Sequence, residues 1–178
     1  MCKFFLIAFL SILVLRNDKA LAWSSYVPLE WSDFQGPSII NGDVVAVTAS
    51  GLSFGYSTKK YSDGRVEYDF EVTAHFYPER SYYLKYLVTD VTFKHERLHF
   101  DITELQAPKF RARARATQFT QNIDAEMENI HQEINNELRD MQRKYDEETD
   151  HSRVIERQIV WNKMIADALE ETKHLAEY

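Results

Sequence analysis

The sequence has almost no cysteine, and this absence limits both how the protein can be stabilised and how it can bind a metal. The one cysteine among 178 residues is Cys2, at the start of the chain. The remainder of the chain cannot form an internal disulfide, so its stability must come from core packing. The same absence removes thiolate ligands, and a metal site would have to use His, Asp or Glu side chains.

The chain also lacks a broad basic surface. It has 21 Lys and Arg residues against 28 Asp and Glu residues, and its formal net charge is −7. Nucleic acid is therefore a poor candidate partner, because binding it requires many positive charges to neutralise phosphates. The basic residues between positions 109 and 115 form a local exception, and in so acidic a chain they indicate a solvated helix face.

No apolar run of bilayer length marks the N-terminus. The apolar-rich run over residues 4–15 has 12 residues, whereas a spanning helix needs about 20. It follows Lys3 and precedes the small-x-small site Ala20-Leu21-Ala22. This pattern predicts a signal peptide over residues 1–22 and a single secreted or periplasmic domain over residues 23–178, with no stable membrane insertion after cleavage. The alternative is an uncleaved anchor.

The first half of the expected domain has the pattern of a small antiparallel sheet. Residues 66–76 alternate, with Val66, Tyr68, Phe70, Val72, Ala74 and Phe76 on one face. The dipeptide Asp63-Gly64 before them is a hairpin turn signal. The strands are expected at residues 44–49, 52–56 and 66–76.

The second half has helical periodicity. Helices are expected at residues 81–87, from Asp90 through His99 toward Arg115 with a kink or end at Pro108, at residues 118–145 and at residues 152–175. The third has an apolar stripe formed by Ile123, Met127, Ile130, Ile134, Leu138, Met141 and Tyr145, and the fourth has one formed by Ile155, Ile159, Asn162, Ile165 and Leu169. A sheet followed by helices predicts an α+β fold.

Residues 95–99 read His-Glu-Arg-Leu-His and carry the strongest chemical signal. Four helical steps of about 100° place His95 and His99 within about 40° of each other, so both imidazoles can bind one ion. Zinc lowers the pKa of a bound water, and Glu96 beside that water can act as the general base. The alternative is a solvated helix face with two ordinary histidines.

A catalytic zinc needs a third protein ligand and an open position. Of the other histidines, His151 is the best candidate because it lies between two long helices, in a junction that could fold over the active-site helix. The carboxylates Asp146, Glu148 and Asp150 remain open as alternatives. Tyr145 is a candidate for stabilising a developing oxyanion, although it also completes an apolar stripe.

The chain resembles the family known as domain of unknown function 922, bacterial secreted proteins described as zinc-dependent proteases on the strength of this motif. The matching segments are LEWSDFQGP at residues 29–37, HERLHFDITEL at residues 95–105 and YDEETDHS at residues 145–152, followed by Gln158 and Trp161. The resemblance implies a zincin-like peptidase domain with an active-site helix and a zinc site.

The sequence therefore predicts a secreted zinc metallohydrolase that cleaves a peptide or protein substrate. Its zinc ligands would be His95, His99 and His151, and its catalytic residues Glu96 and Tyr145. The competing hypothesis from another class is a non-catalytic binding or structural protein in which zinc only stabilises the fold.

Overall fold

The computed structural model describes residues 19–38, 42–63 and 65–173, with the side chain of Lys173 left out, and has the α+β architecture predicted from the sequence. Most of the predicted signal peptide lies outside the described residues, as do Gly64 of the turn signal and the expected end of the last helix. The strands are β1 (Leu21–Ala22), β2 (Ala46–Val47), β3 (Ser50–Lys60), β4 (Val66–Phe76) and β5 (Tyr82–Tyr83), and the helices are α1 (Asp90–Ala116), α2 (Ile123–Thr149) and α3 (Ile155–Lys173).

The main sheet is a long hairpin with one short strand added. Strands β3 and β4 pair antiparallel from Ser50↔Phe76 to Lys60↔Val66, and β1 pairs antiparallel with the other edge of β4. The alternation expected for residues 66–76 is confirmed, and burial increases toward Phe76, where the hairpin meets the helices. A separate two-stranded sheet joins β2 to β5.

Two local predictions before α1 are wrong. Residues 81–87 do not form a helix, and the strand expected over residues 44–49 is reduced to β2. The buried Ser81 explains both, because its hydroxyl accepts a hydrogen bond from Ala49 N at 2.9 Å and donates one to Tyr77 O at 2.9 Å. These bonds hold the chain after Ser81 extended, and β5 then pairs with β2.

Helix α1 has the extent predicted toward Arg115, but it differs from the prediction at its N-cap and at Pro108. Its N-cap is Thr89 rather than Asp90, with Thr92 as the reciprocal capping partner. The expected end at Pro108 is wrong, since the helix continues to Ala116. Proline removes one helical hydrogen bond, but Ala107 and Phe110 on either side of it are fully buried in the main core. Packing against the sheet outweighs the missing bond.

Helices α2 and α3 both pack on α1, and the first half of α2 also reaches the core with the sheet. The stripe predicted for α2 is confirmed, with Ile134 and Tyr145 fully buried. The stripe predicted for α3 is wrong in its first turns: Ile155 and Ile159 are exposed, and Gln158 and Trp161 are buried instead. The large Trp161 ring packs against Tyr145, and this contact fixes the rotation of α3.

Helix α1 thus lies between two cores. One side contributes Phe100, Phe110 and other residues to the core with the sheet. The other side contributes Leu98, Ile102 and Leu105 to a smaller core with α2 and α3. None of the described helices is long and apolar enough to span a bilayer.

Glu104, on α1, has a carboxyl group whose ionisation opposes folding. Burial raises the pKa of Glu104 to about 7, and the charge of Asp101 adds to this, while Arg111 acts in the opposite direction. The folded protein therefore keeps this proton up to about pH 7, whereas an unfolded chain loses it near pH 4 to 5. Because the folded state binds more protons in that interval, the contribution of Glu104 to stability falls as the pH rises through it.

Replacing Glu104 by Gln is expected to raise the melting temperature at pH 8 and to leave it nearly unchanged at pH 4.5. The gain is about 1 kcal/mol after allowance for partial exposure, or about 2–4 °C. Thermal unfolding followed by circular dichroism at both pH values measures it. Glu79→Gln, at an exposed glutamate, serves as the control. Equal melting temperatures of E104Q and wild type at pH 8 would contradict the assignment.

Candidate metal centre

The two histidines of the sequence motif lie on the face of α1 that meets α2 and α3. His95 is 3% exposed and His99 is 8% exposed. Their Nε2 atoms lie 3.3 Å apart, and their rings are nearly perpendicular, at 87°. The one-turn spacing predicted from the sequence therefore brings the two Nε2 atoms to a common point.

Asp146 of α2 supplies the third atom at that point. Its Oδ1 lies 3.0 Å from His95 Nε2 and 3.1 Å from His99 Nε2. The ligand atoms of these three residues all lie within 4.8 Å of one another, and together they could hold a metal ion. Asp146 was one of the carboxylates that the sequence left open as third ligand.

The three potential ligand atoms fit a cation because all of them can act as hydrogen-bond acceptors. His95 Nδ1 is 3.0 Å from Gln158 Oε1, and His99 Nδ1 is 3.1 Å from Gln142 Oε1. An amide oxygen only accepts, so each Nδ1 carries a hydrogen, and in the neutral ring Nε2 then has the lone pair. An ionised carboxylate also only accepts, so three such atoms this close are stabilised by positive charge among them, either a bound cation or a proton that an imidazole shares with Asp146.

The pKa shifts agree with a site that attracts positive charge. Burial tends to raise the pKa of Asp146, but its hydrogen bonds to His95 and His99 outweigh burial and hold that pKa well below its usual range. Burial tends to lower the pKa of His99, but the bond to Asp146 and the charge of Glu96 outweigh it and raise the pKa of His99. Asp146 is thus ionised at neutral pH.

Glu96 lies beside this group and faces a cleft. The cleft has a volume of about 850 Å³ and is lined on one side by residues 43–48 and on the other by residues 150–153, with His95, Glu96, His99 and Asp146 between them. Within the part of the chain that the structure describes, the Glu96 carboxylate has no hydrogen-bond or ion-pair partner. The backbone oxygen of Glu96 accepts a hydrogen bond from Thr48 Oγ1 at 3.0 Å. This bond connects the cleft wall to α1.

His151 lines the cleft but stands apart from the group of three. Its side chain is 67% exposed, and its Nδ1 lies 3.7 Å from Asp146 Oδ1. It belongs to a turn in which Asp150, His151 and Ser152 have φ values of 46°, 49° and 77°. This left-handed backbone is strained in residues other than glycine. The role of His151 as a zinc ligand stays a prediction.

Tyr145 lies behind the histidines rather than in the cleft lining. Its ring stacks on His95 with centroids 4.5 Å apart, and its hydroxyl donates to Gln158 Oε1 at 2.8 Å. Burial raises the pKa of Tyr145 well above its usual value. The structure therefore makes it a support for the His95 ring, and its role toward an oxyanion stays a prediction.

The other acidic and histidine candidates are engaged elsewhere. Glu148 accepts a hydrogen bond from Trp161 Nε1 at 2.9 Å and pairs with Arg157, and Asp150 pairs with Arg153. The remaining histidines lie away from the cleft or are not described: His75 contacts Ser53, His131 is part-buried against Phe54, and His174 is outside the described residues.

The sequence indicated no role for the two glutamines that hold the imidazoles. Gln142 lies four residues before Asp146, so helical spacing places both on one face of α2. Gln158 was part of the family resemblance, but nothing in its spacing pointed to His95. Both contacts depend on how α2 and α3 dock on α1, and helix docking is not readable from periodicity alone.

Asp146→Asn is expected to lower zinc affinity by at least about 100-fold. Even residues that only hydrogen-bond to a metal ligand change metal affinity by about 10- to 100-fold when they are replaced. The affinity is measured by competition with a chromophoric chelator. Asp150→Asn is the matched control, four residues away on the cleft wall, and should bind zinc as wild type does. If D146N has little effect and His151→Ala instead lowers zinc affinity by at least about 100-fold, the third ligand is His151.

A protein-family model matches part of this chain. Residues 87–152 match the model described as "Bacterial protein of unknown function (DUF922)". The matched segment runs from just before α1 to the left-handed turn and contains His95, Glu96, His99 and Asp146. No curated protein and no solved structure matches the chain. The family resemblance drawn from the sequence is confirmed over residues 87–152, the segment that carries the candidate metal centre.

Proposed function

We propose that this protein is a zinc-dependent hydrolase that cleaves peptide bonds. The observation that carries the proposal is the arrangement of Glu96, a carboxylate without a partner among the described residues, beside three converging acceptor atoms in an open cleft. The zinc would be held by His95, His99 and Asp146. Two imidazoles and one carboxylate are a ligand set typical of catalytic zinc.

The number of ligands supports catalysis over a purely structural role. Structural zinc sites are closed by four protein ligands, whereas catalytic sites have three and keep a position for water or substrate. Three groups converge here, and the exposed His151 lies beyond them. The cleft beside these groups gives a substrate access to the open position.

The chain's own residues account for the proton transfers of hydrolysis. When bound, zinc supplies Lewis acidity that makes water a nucleophile near neutral pH. Glu96 accepts the proton that this water loses as its oxygen attacks the carbonyl carbon. When the carbon–nitrogen bond breaks, the same carboxyl donates that proton to the leaving amine.

The cleft and the charge of the chain support a peptide or protein as substrate. The cleft volume of about 850 Å³ is at the upper end of the range for small-molecule sites. Residues 43–48, which form one wall, include three valines, and an apolar wall suits peptide side chains. The net charge of −7 does not suit nucleic acid.

Replacing Glu96 by Gln is expected to reduce peptide cleavage by about 100- to 10,000-fold, the usual contribution of a general base, while zinc stays bound. Cleavage of a diverse fluorogenic peptide library and zinc content by elemental analysis measure the two properties. Glu147→Gln, at an exposed glutamate on α2, is the control.

Each result decides between the two functions. Wild-type protein that holds one zinc per chain and cleaves nothing in the library would support the non-catalytic, structural hypothesis. If wild-type protein holds no zinc and a His95→Ala variant has unchanged stability, the proposed metal centre is wrong.

We also propose that the protein works outside the cytoplasm, after cleavage between Ala22 and Trp23, which would remove the short strand β1 and leave the β3–β4 hairpin. The support is the sequence pattern of Lys3, the apolar run and Ala20-Leu21-Ala22. Mass spectrometry of the exported protein is expected to find Trp23 as the first residue. A mass that includes residues 1–22 would contradict cleavage.

A further inference from the structure

Two glutamines from different helices meet the two histidines of the candidate metal centre in the same way. Gln158 of α3 accepts from His95 Nδ1 at 3.0 Å, and Gln142 of α2 accepts from His99 Nδ1 at 3.1 Å. Both of these helices pack on α1, and each brings one glutamine to one imidazole. Each imidazole is therefore held from behind by an amide oxygen.

The orientation of each amide is set by its other partners. Gln158 Nε2 donates to Asn162 Oδ1 at 2.8 Å, and the Tyr145 hydroxyl contacts both Gln158 Oε1 and Gln158 Nε2. Gln142 Nε2 donates to Thr103 Oγ1 at 3.1 Å. Because the nitrogen of each amide is occupied by an acceptor, its oxygen is left facing the imidazole.

The choice of amides has an electrostatic consequence. Histidine ligands often donate their second N–H to a carboxylate, which makes the ligand more basic. A neutral amide fixes the same tautomer without adding negative charge. Among the three ligands, Asp146 is then the only anion, and a divalent cation there would keep more of its positive charge for the substrate.

We propose that Gln142 and Gln158 are positioning residues of the metal centre: they fix His99 and His95 in the Nδ1–H tautomer, so that both Nε2 atoms bind the ion. This inference rests on the metal site of the proposed function. It also makes the site dependent on two helix contacts, since α2 provides Asp146 and Gln142 while α3 provides only Gln158.

The test uses the full chain and the variants Gln142→Leu and Gln158→Leu. Leucine has nearly the same volume and cannot accept a hydrogen bond. Gln106→Leu is the matched control, because Gln106 is a fully buried glutamine on the same helix as the histidines, and its side chain reaches Met141 rather than an imidazole. Its Oε1 has no partner among the described residues, so losing the oxygen removes no bond.

Two readouts separate positioning from simple structural support. Zinc affinity, measured by chelator competition, is expected to fall about 10- to 100-fold in Q142L and Q158L and to stay unchanged in Q106L. Long-range ¹H–¹⁵N NMR of the zinc-loaded protein is expected to show both imidazoles bound through Nε2 in wild type. In Q142L only the His99 pattern should change, and in Q158L only the His95 pattern.

A conservative variant provides the rescue. Gln142→Glu keeps an oxygen acceptor at the partly exposed position and is expected to restore wild-type zinc affinity and the Nε2-bound pattern of His99. Q142L and Q142E both change residue 142, so a general loss of packing would affect both, whereas loss of the hydrogen-bond acceptor affects only Q142L.

The outcomes distinguish this inference from the proposed function. If wild type binds zinc and Q142L and Q158L bind it equally well with both imidazoles still on Nε2, the positioning role is wrong and the zinc site stands. If wild type binds no zinc, the site and this inference fall together. If Q158L does not fold, as judged by near-UV circular dichroism, the comparison of Q142L with Q142E decides alone.

Discussion

The burial of two imidazoles at the junction of three helices is the constraint on which this arrangement depends. A buried polar group without a hydrogen-bond partner is costly, and each ring has two nitrogens to satisfy. Gln142 and Gln158 satisfy one nitrogen of each ring. The other nitrogens face Asp146, and these contacts are satisfied when a cation or a proton is shared among the three groups.

Much of this structure follows from patterns in the sequence. The alternation of residues 66–76 and the stripe from Ile123 to Tyr145 depend on local periodicity, and both were predicted correctly. The spacing of His95 and His99 also depends only on helical geometry. Such features can be predicted from the sequence because the buried face of a helix or strand must be apolar, or must pair its polar groups, along its whole length.

The errors occur where distant residues decide the local conformation. The turn at Ser81 is set by hydrogen bonds to Ala49 and Tyr77, and the rotation of α3 is set by one large ring against Tyr145. Helix α1 passes through Pro108 because its flanks are buried. The choice among Asp146, Glu148 and His151 had the same origin, since only the docking of α2 determines which side chain points at α1.

The distance along the chain between the converging groups has a consequence for the unfolded state. His95 and Asp146 are about 50 residues apart, and a cation bound to both would close a loop of that length. In the chain-entropy treatment of cross-links, a loop of about 50 residues lowers the entropy of the unfolded ensemble by the equivalent of about 4 kcal/mol. In a chain with no cysteine after Cys2, an ion at this position would act as the cross-link that a disulfide provides in many small domains.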